Sequence, residues 1–183
     1  MHRTHIWIAS GALALSCLVL PGSMGAQELH NYAIGVFGGI GGSFDVEPDA
    51  GLDNEALQLS FSMVTSSRTL FVARVGELDF TSEGFALFSE ADLTYLTLGG
   101  EYRSRRSFYD SGLYFALGGY RLEGITSAGL EDEDTALGLA IGSTADFPIN
   151  RWLSIQAELS GHFTDLDDAQ FFGMLHIGAS VKF

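Results

Sequence analysis

The final stretch of the chain, residues 171–183, alternates between an apolar or small residue and a more polar one. The apolar or small set comprises Phe171, Gly173, Leu175, Ile177, Ala179, Val181 and Phe183. A period of two over this length predicts a β-strand with one apolar face. Strands of soluble proteins usually span about 5–6 residues, whereas a strand that crosses a bilayer needs about 9–11. The pattern therefore predicts a membrane-spanning barrel strand that ends on an aromatic residue.

The first 26 residues have the pattern of a secretory signal peptide. Arg3 supplies a positive charge, residues 6–20 form an apolar run, and Pro21 ends it before a group of small residues. The sequence predicts cleavage after Ala26 or one residue earlier. A membrane-spanning helix is the alternative, but this run is shorter than the roughly 20 residues that a span requires. Cys17, the only cysteine, lies inside the run and not at its end, which disfavours lipidation and leaves residues 27–183 without a disulfide.

The remaining residues, 27–183, are predicted to form one domain. They contain no apolar stretch long enough for a membrane helix, yet 46% of the whole chain is hydrophobic. Glycine is frequent, with 23 residues, and proline is rare, with three. Long strands, frequent glycine and export together favour an outer-membrane β-barrel over the alternative, a secreted β-sandwich.

Alternation and turn residues divide the domain into eight predicted strands. They span residues 31–44, 55–65, 68–78, 91–102, 109–122, 135–147, 152–164 and 170–183. An even number of antiparallel strands places both ends of the sheet on the same side and allows it to close into a barrel. The predicted fold class is therefore an all-β, eight-stranded, antiparallel up-and-down transmembrane barrel.

Charged residues are sorted between the two predicted ends of this barrel. Acidic residues cluster around the connections that follow odd-numbered strands: Asp45, Glu47, Asp49, Asp53 and Glu55; Glu77, Asp79, Glu83, Glu90 and Asp92; Glu123, Glu131, Asp132, Glu133 and Asp134; Asp165, Asp167 and Asp168. Basic residues mark the opposite end: Arg68, Arg103, Arg105, Arg106, Arg151 and Lys182. Barrels of this class have long extracellular loops and short periplasmic turns, so the acidic connections are predicted to be extracellular.

Aromatic residues fall near both predicted ends, as two interfacial girdles would require. Those near the basic end are Tyr102, Phe108, Tyr109, Phe147, Trp152 and Phe183; those near the acidic end are Phe44, Phe80, Phe85, Phe88, Phe163 and Phe171.

The fifth predicted strand carries a conflict. If Leu113 and Leu117 face lipid, a strict alternation also turns Arg121 outward, at a cost of about 2–4 kcal/mol at the bilayer midplane and less near an interface. A bulge at Gly118 and Gly119 would restore an inward arginine; otherwise Arg121 reaches the headgroup region. The sequence leaves both possibilities open.

The predicted lumen is lined by small residues and a few larger polar ones. The small ones are Gly35, Gly39, Gly41, Ser60, Ser62, Thr97, Gly99, Gly138, Ala140, Gly142, Ser154, Ser160, Gly178 and Ser180; the larger ones are Arg74, Glu101, Gln156, Glu158, His162 and His176. A buried charge requires a partner, so Arg74 is predicted to pair with Glu101 or Glu158. The lumen is predicted to be a hydrogen-bonded plug; a narrow channel or a small-ligand cavity is the alternative. A general diffusion pore would need about 16 strands.

Residues 112–120 (GLYFALGGY) and 178–183 (GASVKF), together with the signal peptide, resemble the small eight-stranded outer-membrane β-barrel family, which includes opacity proteins and the transmembrane domain of outer-membrane protein A. The resemblance covers nearly all of residues 27–183. It implies insertion by the barrel-assembly machinery and roles in envelope integrity, adhesion or small-solute passage. Its motifs are architectural, so it implies no catalytic residue.

Enzymatic and metal sites have weak support. Some barrels of this size hydrolyse lipid A acyl chains with a His-x-Ser motif and an acidic partner; here His162 is followed by Thr164 and Asp165, with threonine in place of serine. Residues 131–134 and 165–168 are rich in carboxylates but lack the glycine and terminal glutamate of an EF-hand loop. No catalytic, cofactor or metal site is therefore predicted.

The predicted role is structural or interaction-mediating, exerted through acidic extracellular loops. The expected partners are outer-membrane lipid and lipopolysaccharide, with divalent cations bridging carboxylates and lipid phosphates as a further hypothesis. A net charge of −14 disfavours nucleic-acid binding. The sequence favours a monomer in the cell outer membrane.

Overall fold

The computed structural model describes residues 31–44, 52, 54–80, 88–126, 129–167 and 169–183, without the side chains of residues 88–90 and 126. Eight strands follow in chain order: β1 Tyr32–Ser43, β2 Asn54–Val64, β3 Thr69–Phe80, β4 Phe88–Arg105, β5 Asp110–Thr126, β6 Glu131–Pro148, β7 Leu153–Thr164 and β8 Phe171–Lys182. Each strand pairs antiparallel with its neighbour in the chain, and β1 also pairs with β8. The predicted closed eight-stranded barrel is confirmed.

Some predictions concern residues that the structure does not describe. The signal peptide and its cleavage site fall within residues 1–30, and six acidic residues assigned to connections are also outside the described part: Asp45, Glu47, Asp49, Asp53, Glu83 and Asp168. Within the described part, no helix is both long enough and apolar enough to cross a membrane.

Three strands are longer than predicted by several residues. β4, β5 and β6 contain 18, 17 and 18 residues, whereas β1, β2 and β3 contain 11 or 12. Most of the extra length lies at the acidic end, where Glu123 pairs with Glu133 and Ile125 pairs with Glu131. β4 also continues through residues 103–105 at the basic end. The prediction that residues 123 and 131–134 form a loop is therefore wrong. Hydrophobic alternation stops where both faces of a strand are wet, so the period-two signal ended before the strands did.

The outer surface of the barrel is apolar, as the alternation predicted. Leu96, Leu117, Ile141 and Ile177 are each about half exposed or more. The neighbouring positions on the same strands face inward, and Thr97, Ala116, Ala140 and His176 are buried. An apolar exterior around a filled interior is the arrangement that a bilayer requires of a small barrel.

Inward-facing rings pack against glycines on the next strand. Tyr95 is paired with Gly76, Tyr114 with Gly142, and Phe37 with Gly178. A Cβ atom at Gly142 would lie 2.5 Å from the Tyr114 ring, and one at Gly76 would lie 2.5 Å from the Tyr95 hydroxyl. A lumen of eight strands has room for side chains and little else, so glycine opposite each ring provides the space.

The two aromatic girdles are largely confirmed. At the basic end, Tyr32 stacks on Phe183 with 6.0 Å between ring centroids. At the acidic end, Phe163 stacks on Phe171 at 4.6 Å. Phe80 is the exception, because it is 4% exposed and faces the lumen. The side chains of Phe85 and Phe88 lie outside the described part of the chain.

The structure resolves the conflict on β5. The ladders that β5 forms with β4 and β6 run through Gly118 and Gly119 without a register shift, so no bulge occurs there. Arg121 therefore faces outward. It lies near the acidic end and forms ion pairs with Glu123 and, at 2.6 Å, with Glu133. The outward arginine is tolerated because it lies beside two carboxylates at the rim.

Candidate functional site

The lumen is divided into two halves of different chemistry. The half near the acidic end is filled by apolar and aromatic side chains, which we call the apolar plug. Its buried members are Ala56, Leu78, Phe80, Ala91, Leu93, Tyr95, Tyr120, Leu122, Leu166, Ala169, Phe172 and Met174. The half near the basic end contains the buried charged side chains and several buried hydroxyls, with the apolar side chains of Leu70 and Val72 beside them. The lumen therefore offers no continuous polar path among the described residues.

The connection between β7 and β8 closes the plug from above. Leu166 and Ala169 belong to this connection and are fully buried in the lumen. Thr164 holds them there, since its hydroxyl donates to the Ala169 carbonyl at 2.6 Å and accepts from the Leu166 amide at 3.3 Å. The Asp167 amide donates to the Asp134 carboxylate at 3.0 Å, which ties the connection to β6. The connection acts as a lid whose apolar side points down.

Below the plug, Glu158 accepts hydrogen bonds from three strands. Arg74 donates its Nε to Glu158 Oε2 at 3.0 Å, and Tyr114 donates its hydroxyl to Oε1 at 3.0 Å. Gln58 Nε2 donates to Oε1 at 3.3 Å, while Tyr95 donates to the Gln58 carbonyl oxygen at 2.9 Å. The Arg74 guanidinium also lies 3.7 Å over the Tyr114 ring. The predicted pairing of Arg74 with Glu158 is confirmed.

A second carboxylate, Glu101, extends this network toward the basic end. It lies 3.6 Å from Arg74, accepts from Arg103 Nε at 2.9 Å and accepts from Thr144 at 3.0 Å. Charge-assisted hydrogen bonds of this kind are about twice as strong as neutral ones. Glu101 therefore joins the centre of the lumen to its lower end.

Asp146 completes the network. Its Oδ2 accepts from Arg103 Nη1 at 3.1 Å and from Lys182 Nζ at 2.9 Å. Together the network contains three cations and three carboxylates: Arg74, Arg103, Lys182, Glu101, Asp146 and Glu158. The charges balance, which is the condition for burying them.

Sequence reasoning missed part of this network. It placed Arg103 in a periplasmic turn and Lys182 only at the basic end of the last strand, and it assigned no role to Asp146 or Tyr114. The alternation of the strands could have placed both cations in the lumen, because residues two positions apart share a face. Arg103 shares a face with Glu101, and Lys182 shares one with Ser180 and His176. Both residues were interpreted only as markers of the basic end, so their position on the lumen-facing side of the strands was not recognised.

A small cavity of about 20 Å³ lies in the charged half, lined by Arg74, Glu101, Arg103 and Glu158, among others. This volume suits about one water molecule. It is too small for an organic ligand, so the predicted alternative of a small-ligand cavity has no support among the described residues.

The residues considered as a hydrolase motif, His162, Thr164 and Asp165, are not assembled as a catalytic site. His162 is 1% exposed, stacks on Phe172 at 4.7 Å, and makes hydrogen bonds with the Tyr120 hydroxyl and Ser160 through its two ring nitrogens. The Thr164 hydroxyl is already hydrogen-bonded to the Ala169 carbonyl and the Leu166 amide. Neither group is directed at the other or at lipid, so His162 serves as a packed lumenal side chain.

The acidic rim is dominated by the hairpin of β5 and β6. β7 ends at Thr164, which pairs with Gly138, so residues 131–137 of β6 continue beyond it for about 20 Å along the strand. The side chains of Glu123, Glu131, Asp132 and Glu133 on this hairpin are exposed. The described residues contain no group of three or more His, Cys, Asp or Glu side chains placed to hold a metal ion.

Comparisons with known proteins give a result for the fold alone. No family profile matches the sequence, and no curated protein matches it. Among solved structures, neisserial surface protein A is 11% identical, with a TM-score of 0.69 over 83% of this chain and 97% of that one. The N-terminal barrel domain of OprF from Pseudomonas aeruginosa is 13% identical (TM-score 0.58; 84% and 98%), and the attachment invasion locus protein Ail of Yersinia pestis is 16% identical (TM-score 0.56; 84% and 97%).

Proposed function

We propose that this chain, which has the fold of the small eight-stranded outer-membrane β-barrels, is a non-enzymatic integral protein of the cell outer membrane with a structural or interaction-mediating role. The observation that carries the proposal is the contrast between a lumen whose charges are paired and buried and a hairpin whose carboxylates are exposed. The exposed carboxylates of that hairpin are therefore the groups that a partner could bind.

A closed lumen supports a role other than transport. An ion entering from the basic end would meet the network of three balanced charge pairs and then the apolar plug. Moving a charge into an apolar medium without partners costs several kcal/mol or more. The narrow channel predicted as an alternative is therefore disfavoured.

The orientation follows from the connections. The turns between β2 and β3, β4 and β5, and β6 and β7 are short, whereas the connections from β1 to β2, β3 to β4, and β7 to β8 at the acidic end are longer. The connection from β5 to β6 is as short as the turns, but it joins the hairpin that extends beyond β7. Short turns are periplasmic in barrels of this class. We infer that the acidic hairpin is extracellular, that residues 1–26 direct export, and that the barrel-assembly machinery inserts the protein as a monomer.

Conductance tests the closed lumen. Residues 27–183, refolded in detergent, should run at different mobilities on a gel before and after boiling, which reports a folded barrel. The same sample in a planar bilayer should show no steady conductance. A small, reproducible conductance from the heat-modifiable form would contradict the proposal and favour a solute path.

Cysteine labelling tests the orientation, because residues 27–183 contain no cysteine. The Asp132→Cys variant should react with a membrane-impermeant maleimide on intact cells. The Ser107→Cys variant, in the turn between β4 and β5, should react only after the outer membrane is permeabilised. The opposite pattern would show that the acidic end is periplasmic.

Lipopolysaccharide is the proposed partner at the extracellular end, bridged by divalent cations to the exposed carboxylates. The refolded protein should retain lipopolysaccharide in Mg²⁺ and release it in a chelator. Replacing Glu131, Asp132 and Glu133 by their amides should remove the Mg²⁺ dependence. Equal retention with and without the chelator would contradict this partner.

A further inference from the structure

A groove crosses the lipid-facing surface of β3, β4, β5 and β6 in the half of the barrel near the basic end. Its volume is about 620 Å³. Gly100 forms the floor, Phe71 and Phe115 form the two sides, and Tyr102 and Leu113 lie toward the basic end. The groove is separate from the lumen and from the acidic hairpin.

The groove exists because Gly100 has no side chain between two aromatic neighbours. Gly100 pairs with Phe71 on one side and Phe115 on the other. A Cβ atom at Gly100 would meet only the Leu70 carbonyl oxygen, at 3.9 Å, so the space above it is open. Two strand spacings separate the flanking backbones by about 10 Å. This width accommodates a hydrocarbon chain lying along β4 between the rings.

A cation lies at the end of the groove. Arg68, in the turn between β2 and β3, donates a hydrogen bond from Nη1 to the Tyr102 hydroxyl at 3.2 Å, and the Arg68 side chain is exposed. The ion pairs of the described residues involve Arg74, Arg103, Arg121 and Lys182. None of them involves Arg68, so its charge is available to an anion from outside the chain.

The next turn adds to the positive charge. Arg105 and Arg106, at the end of β4, are exposed and also form no ion pair within the described part of the chain. A guanidinium matches the geometry of a phosphate through paired N–H donors. A tyrosine hydroxyl beside it is suited to the boundary between hydrocarbon and headgroup. The groove thus combines an apolar slot with an unpaired cation at the headgroup level.

We propose that this groove binds one anionic glycerophospholipid, with its phosphate on Arg68 and an acyl chain over Gly100. The chemistry of the site is independent of the proposed function; only the assignment of this lipid to the periplasmic leaflet rests on the proposed orientation.

Native mass spectrometry of the refolded barrel in a neutral detergent tests the site. The probes are phosphatidylglycerol and phosphatidylcholine with identical acyl chains, which differ in net charge. The wild-type protein should hold one phosphatidylglycerol at least about fivefold more tightly than phosphatidylcholine, a difference of about 1 kcal/mol. Arg68→Gln should abolish this preference. Gly100→Leu, which fills the slot, should weaken the binding of both lipids.

Matched variants separate a site from general adhesion to the barrel. Arg151→Gln removes another exposed arginine at the basic end, one that lies 4.9 Å over Trp152. Gly38→Leu adds a side chain at another outward glycine, where a Cβ would meet nothing within 4 Å. Both variants should bind the two lipids as the wild type does. Heat-modifiable mobility confirms that each variant is folded.

Equal binding of both lipids by the wild type would overturn the proposal. An equal effect of Arg68→Gln and Arg151→Gln, or of Gly100→Leu and Gly38→Leu, would overturn it as well. Glycerol 3-phosphate added in excess should not displace the lipid, because it lacks the chains; displacement would show that Arg68 binds a free phosphate and that the groove has no part in binding. Failure of the orientation would appear in cysteine labelling and leave these detergent measurements unchanged.

Discussion

The two halves of the lumen close the barrel by different physical means. The apolar plug excludes water through contact area, which is non-directional and tolerates changes of shape. The charged half is held by hydrogen bonds whose donors and acceptors must meet in direction and number. Leu93 is fully buried among the apolar side chains of the plug, whereas Glu158 accepts hydrogen bonds from three specific donors. We therefore expect that a substitution of similar size is tolerated in the apolar plug and costly in the charged half.

The largest effect is expected at Glu158. Glu158→Ala leaves the Arg74 guanidinium with its main counterion removed and deprives Tyr114 and Gln58 of an acceptor, so the free energy of unfolding should fall by about 3–5 kcal/mol. Urea unfolding of the barrel refolded into liposomes measures it. Glu131→Ala, which removes an exposed carboxylate at the rim that forms no ion pair with a described residue, is the control and should leave unfolding unchanged. A loss of less than about 1 kcal/mol at Glu158 would show that the charged half is not rigidly specified.

Leu93 comes next. Leu93→Ala opens a cavity in the plug and should lower the free energy of unfolding by about 3 kcal/mol. Leu93→Met keeps the volume and should cost less than about 1.5 kcal/mol, whereas the equally conservative Glu158→Gln should cost more. The control Leu137→Ala alters a side chain that is 82% exposed on the outside. If Leu93→Met proved more costly than Glu158→Gln, the contrast between the halves would be reversed.

Arg103 tests the lower end of the network. It bridges Glu101 and Asp146 but is less deeply buried than Arg74. Arg103→Met should lower the free energy of unfolding by about 1.5–3 kcal/mol, the range for hydrogen bonds to charged groups. Lys182 still pairs with Asp146 in this variant, so adding Lys182→Met should cost more than Lys182→Met alone does in the wild type. Additive effects of the two substitutions would indicate that Asp146 does not couple them.

The smallest effect is expected for a hydrogen bond between two uncharged side chains in the charged half. Ser154 and Ser180 face each other in the lumen with 2.7 Å between their hydroxyl oxygens. Ser154→Ala should lower the free energy of unfolding by about 1 kcal/mol. The double variant with Ser180→Ala removes both partners and should cost little more than either single change. A cost comparable to that of Glu158→Ala would mean that charge is not what distinguishes the lower half.

How far the sequence predicted the structure depends on position along each strand. Within the bilayer one face is apolar and the other is not, so alternation identified all eight strands and placed Arg74 and Glu158 in the lumen. Beyond the bilayer both faces of β5 and β6 meet water, and the same signal could not tell residues 123–126 and 131–134 from a loop. Alternation also shows which residues share a face of a strand, but it does not show which side chains that face packs against. Phe80 was therefore assigned to a girdle although it packs in the plug, and the lid formed by Leu166 was not foreseen.

The seam between β1 and β8 has a consequence for the order of assembly. Every other pairing joins strands that follow each other in the chain, whereas this one joins Tyr32 to Phe183 through two backbone hydrogen bonds, at 3.1 and 2.9 Å. The loop-closure entropy of the barrel is thus concentrated in a single non-local step. Along the seam, Gly178 meets Phe37 and Gly39 meets His176, and a Cβ at either glycine would collide with the opposite backbone. The hairpins can form quickly because their strands are neighbours in the chain. The final closure has a single correct alignment because only one register brings each of these glycines opposite a ring.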